Sequence, residues 1–198
     1  MPLQEIRPGL RRWTAPHPEW EPNAPADSPA DWPRDVGCVL YDAPAAVVFV
    51  DPLLPPDPQP LWEVFDELVD RRAVPVRVLT TIRFHRRSGA AFVDRYGATE
   101  SVPDGVEAIE LPRAGETMFW LAEHRALIPG DRILGDGAGG LRVCPDSWLR
   151  YLRNGLTGDE LRDLLRPLLD LPVESVLVSH GEPVLSGGRE ALERALAA

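Results

Sequence analysis

The feature that most constrains this chain is a pair of apolar runs set back to back. Val36 to Asp42 reads VGCVLYD, Ala45 to Asp51 reads AAVVFVD, and only Ala43-Pro44 separates them. Runs rich in Val, Phe and Tyr around a proline-bearing turn predict a β-hairpin. Neither run alternates apolar with polar residues, so each strand is expected to be buried on both faces. The prolines point the same way. There are 22 of them, too many for a helical bundle, because a proline inside a helix removes a hydrogen bond and clashes with the preceding turn. Pro16, Pro18, Pro22, Pro25, Pro29 and Pro33 crowd one N-terminal stretch. It is expected to be extended and irregular, pinned down by Trp13, Trp20 and Trp32. Residues 1–35 are therefore read as a proline-rich arm packed on a domain spanning 36–198, either as a covering loop or as an aromatic rim beside a site.

Beyond the hairpin, Asp57 and Pro58 open a helix in which Leu61, Val64, Phe65 and Leu68 share one face, ending near Arg71-Arg72. A strand is expected over Val74–Ile82, then a short helix from Ser88 to Tyr96 stopped by Gly97. Val106–Pro112 and Thr117–Gly135 read as strands, with a turn at Glu123-His124-Arg125 that would expose His124. Thr157 and Glu160 form a capping box ahead of Leu161, Leu164, Leu165 and Leu168. Ser175–Pro183 is a strand ending in a polar turn, and an amphipathic helix starts at Arg189. Hairpin-like strand pairs mixed with helices that follow single strands suit an α+β domain with two stacked sheets and helices on both outer faces.

Charge narrows the function classes. Lys and Arg number 21 against 31 Asp and Glu, a formal charge of −10. Nucleic-acid and anionic-membrane binding rest on clustered cations, and here the basic residues that stand out are arginines in runs of two or three. No segment approaches the roughly 18 apolar residues of a membrane span, and the N-terminus lacks the apolar core of a signal peptide. Cys38 and Cys144 carry no CxxC spacing and read as buried thiols of a cytoplasmic protein. The glycine-rich segment GDGAGGLRVCP has no strand–GxGxxG–helix context and no GxxxxGK[ST] pattern, so it is not a phosphate loop. A small-molecule ligand or substrate is the partner expected.

Four landmarks occur in a familiar order. Val47–Asp51 with Pro52-Leu53-Leu54 resembles the strand ending in Asp of the metallo-β-lactamase superfamily. Val78-Leu79-Thr80-Thr81 resembles the strand leading into its HxHxDH zinc motif. Leu127-Ile128-Pro129-Gly130-Asp131 resembles the strand ending in the metal-bridging Asp, and Val176-Leu177-Val178-Ser179-His180-Gly181 the closing strand that delivers the last His. The resemblance covers nearly the whole chain after residue 36 and implies a four-layer αββα sandwich.

It also implies a degenerate metal site. With Gly89 matched to the helix-opening Gly, the HxHxDH positions fall on Ile82, Phe84, Arg86 and Arg87, and Glu116 stands where a further His is usual. Asp131 and His180 keep the family's ligand types, and His85 lies one position past a lost His. Zinc takes three or four ligands from Cys, His and carboxylates at about 2.0–2.3 Å, so the ordinary dinuclear site is not expected. One reading is a rebuilt mononuclear site for zinc or another divalent metal, from His85, Glu116, Asp131 and His180. The other has no cofactor: Arg87 or Arg86 replaces the metal's charge beside Asp131 and Glu116, a guanidinium fork meeting carboxylates. His180, Asp131, His85 and Arg87 are the catalytic candidates; Arg83, Arg86 and Glu116 are ligand-binding candidates. Asp51 is expected to brace the motif loop and His17 to sit at the surface or in packing. Ser88 and Ser179 lack a GxSxG context. The resemblance thus implies a hydrolase-related protein acting on an ester, thioester or lactone, or a non-catalytic binding protein whose Arg, carboxylate and His pocket holds an anion.

Overall fold

The computed structural model describes residues 3–198. Its first sheet contains β1 (Gln4–Arg7), β2 (Leu10–Pro16), β3 (Asp35–Ala43), β4 (Ala46–Val50) and β5 (Val76–Leu79), hydrogen-bonded in that order. Neighbours are antiparallel except β4 and β5, which run parallel because α1 (Gln59–Arg72) carries the chain back between them. After α2 (Gly89–Tyr96) come β6 (Glu107–Leu111), β7 (Glu116–Leu121), β8 (Ala126–Ile128), the small ribbon β9 (Ile133–Gly135) with β10 (Leu141–Val143), and α3 (Gly158–Leu165). β11 (Ser175–Val176) closes the second sheet, ordered β11-β8-β7-β6, and α4 (Gly188–Ala197) ends the chain.

Side-chain alternation along the strands builds three apolar layers between four structural ones. Val36, Cys38 and Leu40 of β3 and Val47 and Phe49 of β4 pack outward against Leu61, Phe65 and Leu68 of α1 and Phe92 of α2. Their neighbours Val39, Tyr41, Val48 and Val50 point the other way and meet Phe119, Leu121 and Ile128 of the second sheet. Met118, Trp120 and Leu127 cover the far side and pack on Leu161, Leu165, Ala191 and Leu192 of α3 and α4. This is the αββα sandwich, and the two-sided burial follows from the unbroken apolar runs.

Local signals explain the element ends. Gly97 stops α2 in the left-handed conformation at φ 62°, and the Thr157–Glu160 capping box is complete in both directions. Several expectations need correction. Within the expected arm, residues 4–16 form β1 and β2 and extend the first sheet beyond β3. The irregular course is confined to residues 17–34, where the prolines cluster. The strand expected from Ser175 pairs regularly only at Ser175–Val176, and beyond it isolated bridges join Val176 to Val184 and Val36 to His180. His124 lies in the expected turn but is buried, its ring edge-on to Tyr41 at 5.2 Å.

Candidate active site

At one end of the two sheets, three loops bring ionisable side chains together. The first follows β4. Asp51 adopts a left-handed backbone with φ 50°, a costly conformation for a non-glycine residue. It is held there as its N–H donates to the Leu79 carbonyl at 3.0 Å. The Asp51 carboxylate then sits under the loop that leaves β5. One oxygen accepts from the Thr81 N–H (2.8 Å); the other accepts from the Thr81 hydroxyl (2.5 Å) and meets His85 Nδ1 at 2.8 Å. The loop coils into a 3-10 turn, Arg83–Arg86, that sends His85 inward and leaves Phe84 exposed.

The second loop follows β8 and carries Asp131. Glu116, the first residue of β7, is wholly buried and accepts the Gly130, Asp131 and Arg132 N–H groups at 2.8–3.0 Å. Arg132, also wholly buried, stands 3.8 Å from the same carboxylate. A side chain at Gly130 would put its Cβ 2.6 Å from the Thr81 hydroxyl, so only glycine lets this loop approach the first one. The Asp131 carboxylate thereby reaches His85 Nε2 at 3.0 Å and His180 Nε2 at 3.3 Å.

The third loop leaves β11. Its backbone is pinned from two sides: Gly37 N–H donates to Ser179 O at 2.7 Å and Gly135 N–H to His180 O at 2.9 Å. Beneath it, Arg12 of β2 donates to the carbonyls of Val178 and Gly181 at 3.4 and 3.3 Å. Gly37 has no room for a Cβ, which would lie 2.6 Å from both Arg12 Nη2 and Val178 O.

The result is a buried chain Asp51–His85–Asp131–His180. Burial disfavours charge on His85, but Asp131 and Asp51 on either side raise its pKa to about 9. With no metal bound, this favours a protonated ring, its Nδ1 hydrogen-bonded to Asp51 and its Nε2 in an ion contact with Asp131. Burial also disfavours the Asp131 carboxylate, yet the His85 charge and the histidine hydrogen bonds hold its pKa well below the usual range. Burial lowers the pKa of His180 against the pull of Asp131, so that ring is neutral. With Nε2 directed at Asp131, its Nδ1 is buried and has no hydrogen-bond partner among the described residues. Burial pushes Glu116 up to about 7 against the attraction of Arg132.

His85, Asp131 and His180 line the floor of a cavity of about 760 Å³. Its walls include Trp32, Trp148, Tyr151 and Phe84, and Trp32 and Trp148 both meet the His180 ring edge-on, at 5.5 and 5.6 Å. Each of the three residues offers a ligand atom, all within 4.8 Å of one another. The donor types suit a small divalent cation: tetrahedral bonds of about 2.0–2.1 Å separate donors by about 3.3 Å, and the two histidine nitrogens stand 3.0 and 3.3 Å from one Asp131 oxygen, with the whole set spanning no more than 4.8 Å. Asp51 on the far nitrogen of His85 is the kind of carboxylate that orients a ligating imidazole.

The structure brings together only part of the predicted set. His85, Asp131, His180 and Arg87 border one cavity. Glu116 does not join the ligand cluster; its oxygens are taken by the Asp131 loop and its cation is Arg132 rather than Arg87 or Arg86. Arg87 donates to the Gly37 and Asp51 carbonyls and the Ser179 hydroxyl, so it braces loops instead of neutralising Asp131. Arg83 and Arg86 border a different hollow beside β6 and β7, and Arg83 stacks on Phe84 and Tyr151. Sequence reasoning missed His17, which lines the cavity edge-on to Trp32, and the whole 3-10 segment Asp146–Leu152 that supplies Trp148 and Tyr151. The tryptophans were the available signal for Trp32; Trp148 and Tyr151 carry none that separates a cavity wall from core.

No family model matches the sequence, and no curated protein does. Solved structures do match by shape. The structure of VMB-1 aligns with 99% of this chain and 94% of its own at TM-score 0.59 and 11% identity. A metallo-β-lactamase from Hirschia baltica covers 99% and 96% at TM-score 0.57 and 11% identity. A metallo-β-lactamase family protein from Thermus thermophilus covers 98% and 80% at TM-score 0.51 and 16% identity. The chain therefore has the metallo-β-lactamase fold, over almost its entire length.

Proposed function

We propose that this chain is a hydrolase of acyl bonds (an ester, thioester or lactone) working from one divalent cation held by His85, Asp131 and His180. The observation that carries this reading is the convergence of those three ligand atoms within 4.8 Å on the floor of a cavity. When bound, such a cation supplies Lewis acidity toward an acyl carbonyl and toward water. The chain's own residues set the rest. Asp51 fixes the His85 ring through Nδ1, and Glu116 fixes the loop that presents Asp131. Arg87 lines the cavity and provides a fixed positive charge toward an acyl oxygen that gains negative charge. Trp32 and Trp148 wall the His180 side against bulk water.

A second reading, a metal-free binding protein, is favoured by one observation: His85 lies between two carboxylates, 2.8 Å from Asp51 and 3.0 Å from Asp131, which against burial raise its pKa to about 9, so that its protonated ring can balance the Asp131 charge without any ion. Elemental analysis of protein grown with added zinc, together with turnover of phenyl acetate, a thioester and a lactone, separates the two. The hydrolase reading expects one ion per chain, lost in His85→Gln and His180→Gln, with turnover falling to the background without protein. Metal-free wild type with no turnover above the His180→Gln background overturns it in favour of the binding protein.

A further inference from the structure

The charges at the cavity mouth run against those of the chain. The protein carries −10 overall, yet its cavity is bordered by Arg87, Arg150 and Arg153 against one exposed carboxylate, Glu19. The other acid present, Asp131, is already engaged by His85 and His180. Arg150 and Arg153 are exposed, and neither has an ion pair or hydrogen bond among the described residues. The same cavity is lined by Trp32, Trp148 and Tyr151, with Phe84 edge-on to Tyr151 at 5.0 Å. The cationic groups its lining offers are guanidinium side chains, whose forks fit carboxylate oxygens two at a time.

We propose that the molecule bound here is a ring-bearing carboxylic acid derivative. Its free carboxylate lies against Arg150 and Arg153, and its flat apolar body lies among the aromatic side chains. A cavity of about 760 Å³ is of the size that encloses a small organic molecule, leaving the reactive group to meet the histidine floor. This rests on the same cavity being the substrate site, but its test needs neither metal nor turnover.

Calorimetric titration of the purified protein at low salt with 2-naphthylacetate, 2-naphthylacetamide and acetate examines it directly. The acid should bind about tenfold tighter than the amide, the scale of one charge-assisted contact, and acetate should fail to displace it. In the Arg150→Gln/Arg153→Gln double variant the acid should fall to the affinity of the amide, whose own binding stays as in the wild type. Both positions are exposed, and an unchanged thermal midpoint verifies that the variant is folded. Equal binding of acid and amide, an acid preference that survives the double substitution, or displacement by acetate each overturns the inference. Metal retained with no acid preference refutes this inference alone. An acid preference in metal-free, inactive protein supports it and refutes only the hydrolase reading.

Discussion

Arg132→Met tests the buried support beneath Asp131. Arg132 and Glu116 are both wholly inaccessible and 3.8 Å apart. Two unit charges at that distance attract by about 4 kcal/mol at an effective dielectric of about 20, and breaking a buried pair by removing one partner typically costs about 3–5 kcal/mol. Arg132 also donates to the Ala114 carbonyl and stacks beside Tyr151, so the loss should sit in that range despite the three N–H groups still bonded to Glu116. It should also depend on pH. Glu116 titrates at about 7 in the folded protein against about 4.3 when unfolded. The folded state thus binds the extra proton, and stability falls as pH rises through that window. Without Arg132 the folded pKa lies higher still, so the gap between variant and wild type should widen from pH 6 to pH 8.5. Urea denaturation at both pH values measures this, with Glu116→Gln/Arg132→Met recovering most of the loss. A single-variant cost below about 1 kcal/mol, or one constant with pH, would refute the buried-pair argument.

Other outcomes follow from the same geometry. In metal-depleted protein the His85 pKa, raised from 6.5 to about 9, contributes about 3 kcal/mol. That contribution is complete below pH 6.5 and lost as pH rises through 9, so denaturant midpoints in chelator should fall over that interval and Asp51→Asn should flatten the fall. Arg87→Ala should cost only about 1–2 kcal/mol, since it removes bonds to two carbonyls and a hydroxyl and orphans no carboxylate; equilibrium denaturation checks this. Chelation should leave a cooperative thermal transition, because all three apolar layers form without reference to the site; a non-cooperative melt in chelator contradicts it.

The layered architecture was legible because its signals are periodic and local. Unbroken apolar strands demand cover on both faces, and caps and glycine stops mark helix ends. The convergence of Asp131, His180 and His85 was legible in kind, since loops after buried strands gather at one end of a sandwich. The partner of each carboxylate was not. Arg86 and Arg87 adjoin the motif, whereas Arg132 adjoins Asp131, and only side-chain direction out of the 3-10 turn and the β8 loop decides which cation is buried. The burial of His124 turned on a cross-sheet ring contact with Tyr41, which no spacing rule encodes. The strands at residues 4–16 were hidden by polar residues such as Arg11 and Arg12, because Arg12 points inward to serve backbone carbonyls instead of solvent.

That placement of β2 bears on which strand edge the first sheet exposes. A protein shortened to residues 36–198 would keep all three residues of the histidine–aspartate cluster. It would also lose the seven-residue pairing of β2 with β3, leaving a long apolar strand with unpaired N–H and C=O groups facing water. An edge of that kind templates strand addition by a second molecule. Among the described residues the strand at this edge of the sheet is β1, only four residues long, half-exposed and irregular in register. Short irregular edges recruit new strands poorly. The N-terminal segment therefore covers the edge of β3 and, through Arg12, holds the His180 loop at the same time. A shortened chain should precipitate before any loss of the cluster itself could be measured.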